Sequence, residues 1–406
     1  MPSISHPLSA PSWRSRACTA LLTVGLALAL TACGGGDDDG GGGDPTFAGT
    51  TPGSVRSAAQ VNTLKAAAID QALSDPESKV GPGVFTPRYD VASWRLTYLT
   101  TDKDGELTTA SGLVSVPLKA GGAASPVLSY QHATTFHDDQ APANKVEAVE
   151  PPAVLASLGY IVVSPDYVGF GASKSKEHPY LTSAPTARAV IDMLNAAQAW
   201  RRHQGVADNG QLFLAGYSEG GYATMAAHRA IHLENGALRG QLQAAVPGAG
   251  PYDVLKTLDE QLKRVTTLVP GLDNILDPER LSRAPESVRN EVRRLLLRQM
   301  VPEDGDVRYQ TRFMDRYIAN QRALIDAEHS VHLGWAPDVP VYLFHGRLDL
   351  TVPYAASESA RDALKAAGAK DVTLTDCTTP NFGHLECVPE YFKFAVDRMG
   401  ALAKDL

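Results

Sequence analysis

The chain has 406 residues, of which 44% are hydrophobic and 20% are charged, and its formal net charge is −8. A chain of this length and composition can bury an ample core as one large domain, with or without a sizeable insertion. The acidic balance, with no run rich in lysine and arginine, excludes the basic surface that nucleic-acid binding requires, so we expect no nucleic-acid partner.

The first 32 residues have the pattern of a bacterial export signal. Arg14 and Arg16 precede the apolar stretch "ACTALLTVGLALALTA", which is shorter than the roughly 20 residues of a membrane-spanning helix. The stretch ends in Leu-Thr-Ala-Cys, which resembles the lipobox whose cysteine, here Cys33, is acylated and becomes the new N-terminus. The alternative is an ordinary signal peptide that precedes a cysteine by chance. The pattern predicts a signal peptide over 1–32 and lipidation of Cys33.

Residues 33–50 include "GGGDDDGGGGDPTFAG", which is typical of a flexible, charged tether with no means of packing a core. The aspartates lack the spacing of calcium ligands, so we expect no metal site there. Gly34, rather than aspartate, follows Cys33, and by resemblance to known lipoprotein sorting this indicates the outer membrane. We therefore expect an exported monomer at the outer membrane, at the cell surface or in the periplasm, attached only through the lipid on Cys33.

Strand-like and helix-like segments alternate after the tether. "SWRLTYLTT" and "LTTASGLVSVPL" flank the turn "DKDG" and are typical of an antiparallel hairpin. Apolar runs follow at 126–133, 160–167, 212–218, 244–250, 339–346 and 372–378, most of them separated by helical patterns. Runs that are hydrophobic throughout suit parallel strands covered on both faces. The alternation predicts an α/β fold, with a mostly parallel sheet flanked by helices.

The interval 252–337 breaks this alternation, because it contains helical patterns and no convincing strand. It is far longer than a connection between two strands needs. We predict a helical cap over 252–337, inserted between the two parts of the α/β core at 51–251 and 338–406. The alternative is that these helices enlarge the core from the side. Their predicted apolar faces are Leu255, Leu258, Leu262 and Val265; Val288, Val292, Leu295 and Leu296; and Phe313, Met314, Tyr317, Ile318 and Leu324.

The sequence from Gly216 to Gly220, "GYSEG", matches the G-x-S-x-G pattern and has a predicted strand before it and a predicted helix after it. In so tight a turn, a side chain two places before or after the serine would collide with the neighbouring strand or helix. The pattern predicts that Ser218 is a nucleophile raised above the edge of the sheet. The alternative is a polar residue in a glycine-rich turn.

A nucleophilic serine needs a base, and the base needs an acid that orients it. In α/β-hydrolases the acid follows the serine in the chain, and the histidine follows the acid. Asp349, in "RLDLTVP", directly follows the penultimate predicted strand, at the sheet edge where Ser218 is expected. Asp371 and Asp376 are alternatives, but neither holds that position.

The best candidate for the base among eleven histidines is His384, on the loop after the last predicted strand. His345 and His132 end other strands and are weaker alternatives. Only Cys377 and Cys387 of the four cysteines lie in the predicted domain, so in an oxidising compartment we expect them to pair and to hold the His384 loop in place. The alternative is two buried free thiols.

Acyl transfer also requires two N–H donors for the oxyanion. We predict that one is the backbone amide of Glu219, at the positive end of the helix that follows the serine. For the second we predict Thr134, within the range Gln131 to Thr135 of the loop after the strand at 126–133.

Six blocks in chain order resemble the secretory lipase family of fungi and bacteria, between about residues 90 and 395. The resemblance implies an α/β-hydrolase fold, a helical cap before the strand that precedes the acid, and hydrolysis of carboxylic esters. By that resemblance Ser218, Asp349 and His384 match the family's nucleophile, acid and base. Ala133 stands where bacterial relatives often have glycine, which leaves the second oxyanion donor open. The blocks are "SYQHATT", "VVSPDYVGFGAS", "GYSEGGYAT", "PGAGPYDV", "FHGRLDLTVP" and "NFGH".

The sequence therefore predicts a serine carboxylic-ester hydrolase, a lipase or esterase, that works through an acyl-enzyme without a metal or cofactor and takes a lipid or small-molecule ester. One alternative is a peptidase of the prolyl-oligopeptidase type, although too few residues separate the tether from the hairpin for the usual propeller. The other is a surface binding protein that has a hydrolase scaffold and no catalysis.

Overall fold

A computed structural model describes residues 47–406 except 76–77, 79–82, 235, 269–277, 299–304 and 381. The predicted signal peptide, Cys33 and most of the tether lie outside the described residues. No helix within the described residues is both long enough and apolar enough to cross a membrane.

A nine-stranded mixed sheet organises the described chain, in the order β1-β2-β3-β5-β4-β6-β7-β8-β9. The pairs among β1, β2, β3 and β5 are antiparallel, and the pairs from β5 through β4 to β9 are parallel. This sheet, flanked by helices, confirms the predicted fold class. The strands are β1 (Val55–Leu64), β2 (Val91–Thr101), β3 (Leu107–Pro117), β4 (Ser125–Gln131), β5 (Ile161–Pro165), β6 (Asp208–Tyr217), β7 (Leu242–Gly248), β8 (Val341–His345) and β9 (Val372–Asp376).

Strand β1 is absent from the sequence prediction. It pairs with β2 at the edge of the sheet, and of its ten residues only Val55 is buried. An edge strand whose other residues are all half-buried or exposed needs no apolar run, so the pattern that predicts the inner strands is missing from it. The predicted hairpin of β2 and β3 is present, with Thr101 opposite Leu107 across the "DKDG" turn.

The sheet is covered on both faces, and β6 shows how. Leu212 and Leu214 belong to one buried cluster, with Trp200 of α3, while Phe213 belongs to another, with Tyr391 of α12. Because side chains alternate across a strand, a continuous apolar run supplies both clusters. The helices outside the interval 252–337 are α1 (Ala66–Ser74), α2 (Pro151–Ser157), α3 (Ser183–Gln204), α4 (Glu219–Glu234), α5 (Ala237–Gln241), α11 (Tyr354–Ala366) and α12 (Val388–Gly400). Short 3-10 turns occur at Ala120–Gly122, Asp138–Gln140 and Gly171–Ser173.

The described residues between β7 and β8 form five helices: α6 (Val254–Leu268), α7 (Pro278–Arg283), α8 (Glu286–Arg298), α9 (Arg312–Ile318) and α10 (Arg322–Glu328). Their buried residues form one cluster that continues to Val341 and Leu343 of β8 and to Leu364 of α11. The predicted faces are buried at Leu255, Leu258, Leu262, Val292, Leu296, Phe313, Met314, Tyr317 and Ile318. The side chain of Val265 lies outside the described residues.

The prediction for Leu324 is wrong. This side chain is 42% exposed, and its neighbour Ile325 is fully buried instead. The helical face does not continue from α9 into α10, because Asn320 between them has a φ of 55° and breaks the helix. The break rotates the buried face of α10 by one residue.

Candidate active site

Ser218 lies at the junction of β6 and α4, at the carboxyl edge of the parallel strands. Its φ of 59° is in the left-handed region, which is strained for a residue other than glycine. The Ser218 N–H donates to Gly248 O of β7 at 2.9 Å, and Ser218 O accepts from the Tyr222 N–H of α4 at 3.0 Å. These two bonds hold the strained turn in place and present the hydroxyl above the sheet.

Glycines around the serine allow the close approach that this turn requires. A Cβ on Gly216 would lie 2.4 Å from Gly220 O, and a Cβ on Gly220 would lie 2.1 Å from Gln131 O at the end of β4. Such distances are far below normal contact, and the neighbouring atoms are backbone. The first turn of α4 therefore packs directly against β4, which brings the 131–135 loop beside Ser218.

The structure brings Ser218, His384 and Asp349 into one hydrogen-bonded chain. Ser218 Oγ lies 2.8 Å from His384 Nε2, and His384 Nδ1 lies 2.5 Å from Asp349 Oδ2. Because a carboxylate only accepts hydrogen bonds, the proton of a neutral His384 resides on Nδ1. Nε2 is then free to accept the serine proton, which is the arrangement that general-base catalysis requires.

Asp349 is completely buried at its side chain and receives several hydrogen bonds. Its Oδ1 accepts from the backbone N–H groups of Thr351 and Val352, each at 2.8 Å. Burial alone raises the pKa of this carboxyl, but hydrogen bonds from His345 and His384 outweigh it and hold the pKa well below its ordinary value. Asp349 is therefore an anion at neutral pH.

His345 is the second imidazole on the same carboxylate, a contact that sequence reasoning missed. It is fully buried at the end of β8, with Nε2 3.1 Å from Asp349 Oδ2 and Nδ1 2.7 Å from Ser357 Oγ. The sequence offers His345 only as an alternative base, whereas in the structure its Nε2 and His384 Nδ1 both contact Asp349 Oδ2. No spacing in the sequence indicates this contact, because it depends on the turn between the end of β8 and Asp349, in which the Asp349 N–H donates to Gly346 O at 3.2 Å.

The competing acids do not contact the imidazole of His384. Asp376 instead accepts from Arg347 Nε at 2.7 Å and from Tyr354 OH at 2.5 Å. Asp371 is exposed and directly precedes β9. Of the three candidates that the sequence offers, only Asp349 bonds His384.

The His384 loop is held at both ends. The structure contains the Cys377–Cys387 disulfide that the sequence predicts, and this bond encloses the loop. Glu390 Oε2 of α12 accepts hydrogen bonds from the backbone N–H groups of Thr378 and Thr379, each at 2.9 Å. The start of the loop is thereby bonded to the helix that follows it.

Two further contacts position the backbone of the His384 loop against the sheet. Tyr217, next to the serine, donates its hydroxyl to His384 O at 2.7 Å. A Cβ on Gly346 would lie 2.1 Å from Phe382 O, so the loop rests directly on the backbone at the end of β8. Of the two residues that follow one another here, His345 bonds Asp349, and Gly346 leaves room for the His384 loop.

A pocket of about 280 Å³ opens beside the side chains of Ser218 and His384. Ser218 and His384 line it together with Tyr180, Leu385 and Val388. Thr257 and Gln261 of α6 also line it, so the interval between β7 and β8 contributes to its wall. A volume of this size can hold a small apolar group beside the serine hydroxyl.

Helix α6 also holds the acid loop. Gln261 Nε2 donates to Leu350 O at 3.1 Å and to Thr351 O at 2.6 Å, and Arg264 Nη2 donates to Asp349 O at 3.1 Å. These bonds join α6, which contributes to the pocket wall, to the backbone of Asp349 and of the two residues that follow it.

Thr134 and Glu219, the predicted oxyanion donors, line the same pocket as Ser218. Glu219 is the first residue of α4, and the first N–H groups of a helix have no acceptor within the helix. The Glu219 side chain is buried and lies 2.5 Å from His178 Nε2, a contact that sequence reasoning did not predict. The oxyanion assignment itself stays a prediction.

His132, another alternative base, lies away from the serine hydroxyl. Its ring stacks on Tyr167 at 4.3 Å between centroids, and its nitrogens face Ala133 O and Asp166 O. Burial lowers the pKa of this imidazole. Among the described residues, no group of His, Cys, Asp and Glu side chains is arranged to hold a metal ion.

Residues 148–257, which include Ser218 and strands β5, β6 and β7, match the model of the secretory lipase family. This match confirms the resemblance seen in the sequence and supports a carboxylic ester hydrolase. No curated protein matches the chain.

Solved structures with the same fold include lipases and esterases. A ligand-bound form of the rice cell wall degrading esterase LipA from Xanthomonas oryzae has a TM-score of 0.68 and 24% identity, over 87% of this chain and 100% of that one. A candidate hydrolase from Legionella pneumophila has a TM-score of 0.67 and 24% identity, over 86% and 97%. Candida antarctica lipase A has a TM-score of 0.51 and 19% identity, over 84% and 80%. At these identities the likeness establishes the α/β-hydrolase fold.

Proposed function

We propose that this chain, which matches the secretory lipase family around Ser218, hydrolyses carboxylic esters through an acyl-enzyme on that serine. The observation that carries the proposal is the hydrogen-bonded chain from Ser218 and His384, which line the pocket, to the buried Asp349.

In the first half-reaction His384 Nε2 takes the Ser218 proton while the oxygen attacks the ester carbonyl. The tetrahedral intermediate collapses, and the alcohol leaves with the proton from His384. Asp349 keeps the Nδ1–H tautomer and stabilises the imidazolium, and its depressed pKa keeps it charged for this role. In the second half-reaction water takes the place of the alcohol and releases the acid.

We assign the oxyanion donors to the backbone N–H groups of Glu219 and Thr134. Both residues line the pocket beside Ser218, and the Glu219 amide also has the favourable dipole of α4 behind it. Thr134 lies on the loop directly after β4, and Glu219 is the first residue of α4.

The helices of 252–337 form, in this proposal, a cap that shapes the substrate pocket. The support is the presence of Thr257 and Gln261 of α6 in the pocket wall and the bonds from Gln261 to the acid loop. The pocket is mostly apolar, which suits the acyl or alcohol part of a lipid or small ester.

We further propose that the enzyme is exported and attached to the membrane through lipid on Cys33. The support is the apolar signal, the lipobox and the tether that follows it. The proposal includes a monomeric enzyme, because a tethered catalytic domain with all three residues in one chain needs no second copy.

The experiment compares wild type with Ser218→Ala on p-nitrophenyl esters from acetate to palmitate and on aminoacyl p-nitroanilides. We expect ester hydrolysis by wild type and a loss of about 10⁴-fold or more in Ser218→Ala. Ser359→Ala is the matched control, because its hydroxyl bonds Asp253 away from the pocket. Absence of ester hydrolysis, or its persistence in Ser218→Ala, would contradict the proposal, and preference for the anilides would indicate a peptidase.

A further inference from the structure

A buried acid and a buried histidine lie directly behind the nucleophile. His178 Nε2 is 2.5 Å from Glu219 Oε1, and the two side chains are only 1% and 3% exposed. Glu219 is the residue after Ser218, so its backbone and its side chain serve two neighbouring sites. A buried carboxyl is costly unless it is paired. The contact with His178 is therefore required for Glu219 to occupy this position.

The hydrogen bonds define how many protons the pair holds. His178 Nδ1 is 2.9 Å from Val168 O, and since a carbonyl only accepts, Nδ1 carries a proton. One further proton lies between Nε2 and the Glu219 carboxyl, because two acceptors would repel each other at 2.5 Å. On either atom, this proton leaves the pair with no net charge.

This neutrality matters for the oxyanion. The intermediate develops negative charge close to the backbone of Glu219, and an unpaired carboxylate on the same residue would oppose that charge in a site of low dielectric constant. His178 removes this repulsion and also fixes the side chain of Glu219.

His178 is itself held tightly. The rings of Phe170 and Tyr309 lie 5.2 Å from its ring, each in an edge-to-face arrangement. A Cβ on Gly169 would lie 2.7 Å from His178 Cα, and Gly169 has a φ of 100°, so its loop packs against the histidine backbone as only glycine allows. The imidazole has one position in this environment.

One segment of the interval between β7 and β8 bonds both sides of the proposed oxyanion hole. On the Glu219 side, His178 N donates to Arg308 O at 2.7 Å, and Gln310 N donates to His178 O at 2.8 Å. On the Thr134 side, Asp306 N donates to Phe136 O at 3.0 Å, and Tyr309 OH donates to Thr135 O. Segment 306–310 therefore bonds His178, which is the partner of the Glu219 side chain, and it also bonds the two residues that follow Thr134.

We propose that His178 is a positioning residue for the oxyanion hole, which neutralises and orients Glu219 and, with segment 306–310, sets the distance between the Glu219 and Thr134 amides. The inference rests on the proposed ester hydrolysis at Ser218. It predicts that loss of His178 slows the chemical step and leaves substrate binding largely intact, since no bond to the ground-state ester is removed.

The test measures kcat and KM separately on p-nitrophenyl butyrate. His178→Leu leaves the Glu219 carboxylate unpaired, and we expect kcat to fall about 10- to 100-fold with KM within about threefold of wild type. The double variant His178→Leu/Glu219→Gln removes the buried charge, so we expect it to recover at least about fivefold in kcat over His178→Leu. Tyr309→Phe retains the ring but loses the bond to Thr135 O, and we expect a kcat several-fold below wild type.

His228→Leu is the matched control, because His228 is a fully buried histidine of α4 that packs on Trp335 and does not line the pocket. Its kcat should equal that of wild type. A His178→Leu enzyme with kcat within twofold of wild type, or a double variant without recovery, overturns the inference. If His178→Leu does not fold, unchanged kcat in Tyr309→Phe overturns it. Wild-type activity that Ser218→Ala abolishes shows in the same assays that the proposed function stands, whatever the outcome for His178.

Discussion

Asp349→Asn should nearly abolish hydrolysis while leaving the fold intact. In the wild type, Oδ1 is held by the Thr351 and Val352 N–H groups, and Oδ2 faces His384 Nδ1. An asparagine keeps the two backbone bonds only if its oxygen occupies the Oδ1 position. Its NH₂ group then points at His384 Nδ1 and donates to it, which moves the imidazole proton to Nε2.

A proton on Nε2 faces the serine hydroxyl, so His384 no longer accepts the serine proton. The loss expected for a triad with the wrong tautomer is about 10⁴-fold in kcat, which corresponds to about 5 kcal/mol of activation free energy. The measurement is kcat on p-nitrophenyl butyrate at neutral pH, with thermal unfolding as the check on folding.

Asp376→Asn is the matched control, because Asp376, at the end of β9, bonds Arg347 and Tyr354 and not the His384 imidazole. It should retain kcat within about threefold of wild type. A loss below tenfold in Asp349→Asn, with wild-type folding, would refute the reasoning that Asp349 sets the tautomer.

Three further predictions concern stability. Gly220→Ala should lower the free energy of unfolding by about 1–3 kcal/mol in urea titrations, because its Cβ would lie 2.1 Å from a backbone oxygen. Gly240→Ala is the control: its Cβ would have no neighbour within 4 Å, so the free energy of unfolding should not fall. Replacing Cys377 and Cys387 together with serine should cost about 2–3 kcal/mol by the entropy of so short a loop, and equal stability would show that the bond contributes nothing. The pKa of Asp349 is lower in the folded than in the unfolded protein, so its negative charge stabilises the fold at pH values above the unfolded pKa of about 4. This stabilisation is lost as the pH falls towards the folded pKa. Wild type should therefore lose more stability than Asp349→Asn between pH 5 and pH 2.

The predictable part of the fold comes from features that a local pattern carries. The inner strands are apolar throughout because both faces of the sheet are covered, and the order of Ser218, Asp349 and His384 follows from their positions after three strands. Strand β1 has no such pattern because it is an exposed edge, and the assignment of Leu324 fails because a single residue, Asn320, breaks the helix.

The contacts that support the site are harder to predict, since they depend on how distant loops meet. His345 ends a strand as the sequence suggests, yet its bond to Asp349 depends on the turn of the acid loop. His178 lies 41 residues before Glu219 and reaches it only through a loop held by Gly169 and segment 306–310. No local periodicity records such a pairing.

The central claim is that Ser218 carries the acyl group, and covalent labelling tests it most directly. We predict that a fluorophosphonate adds once to the wild-type protein, that peptide mass spectrometry finds the adduct on Ser218, and that His384→Ala slows the labelling strongly. Stoichiometric labelling of Ser218→Ala, or an adduct at another residue in an enzyme that hydrolyses esters, would contradict the account.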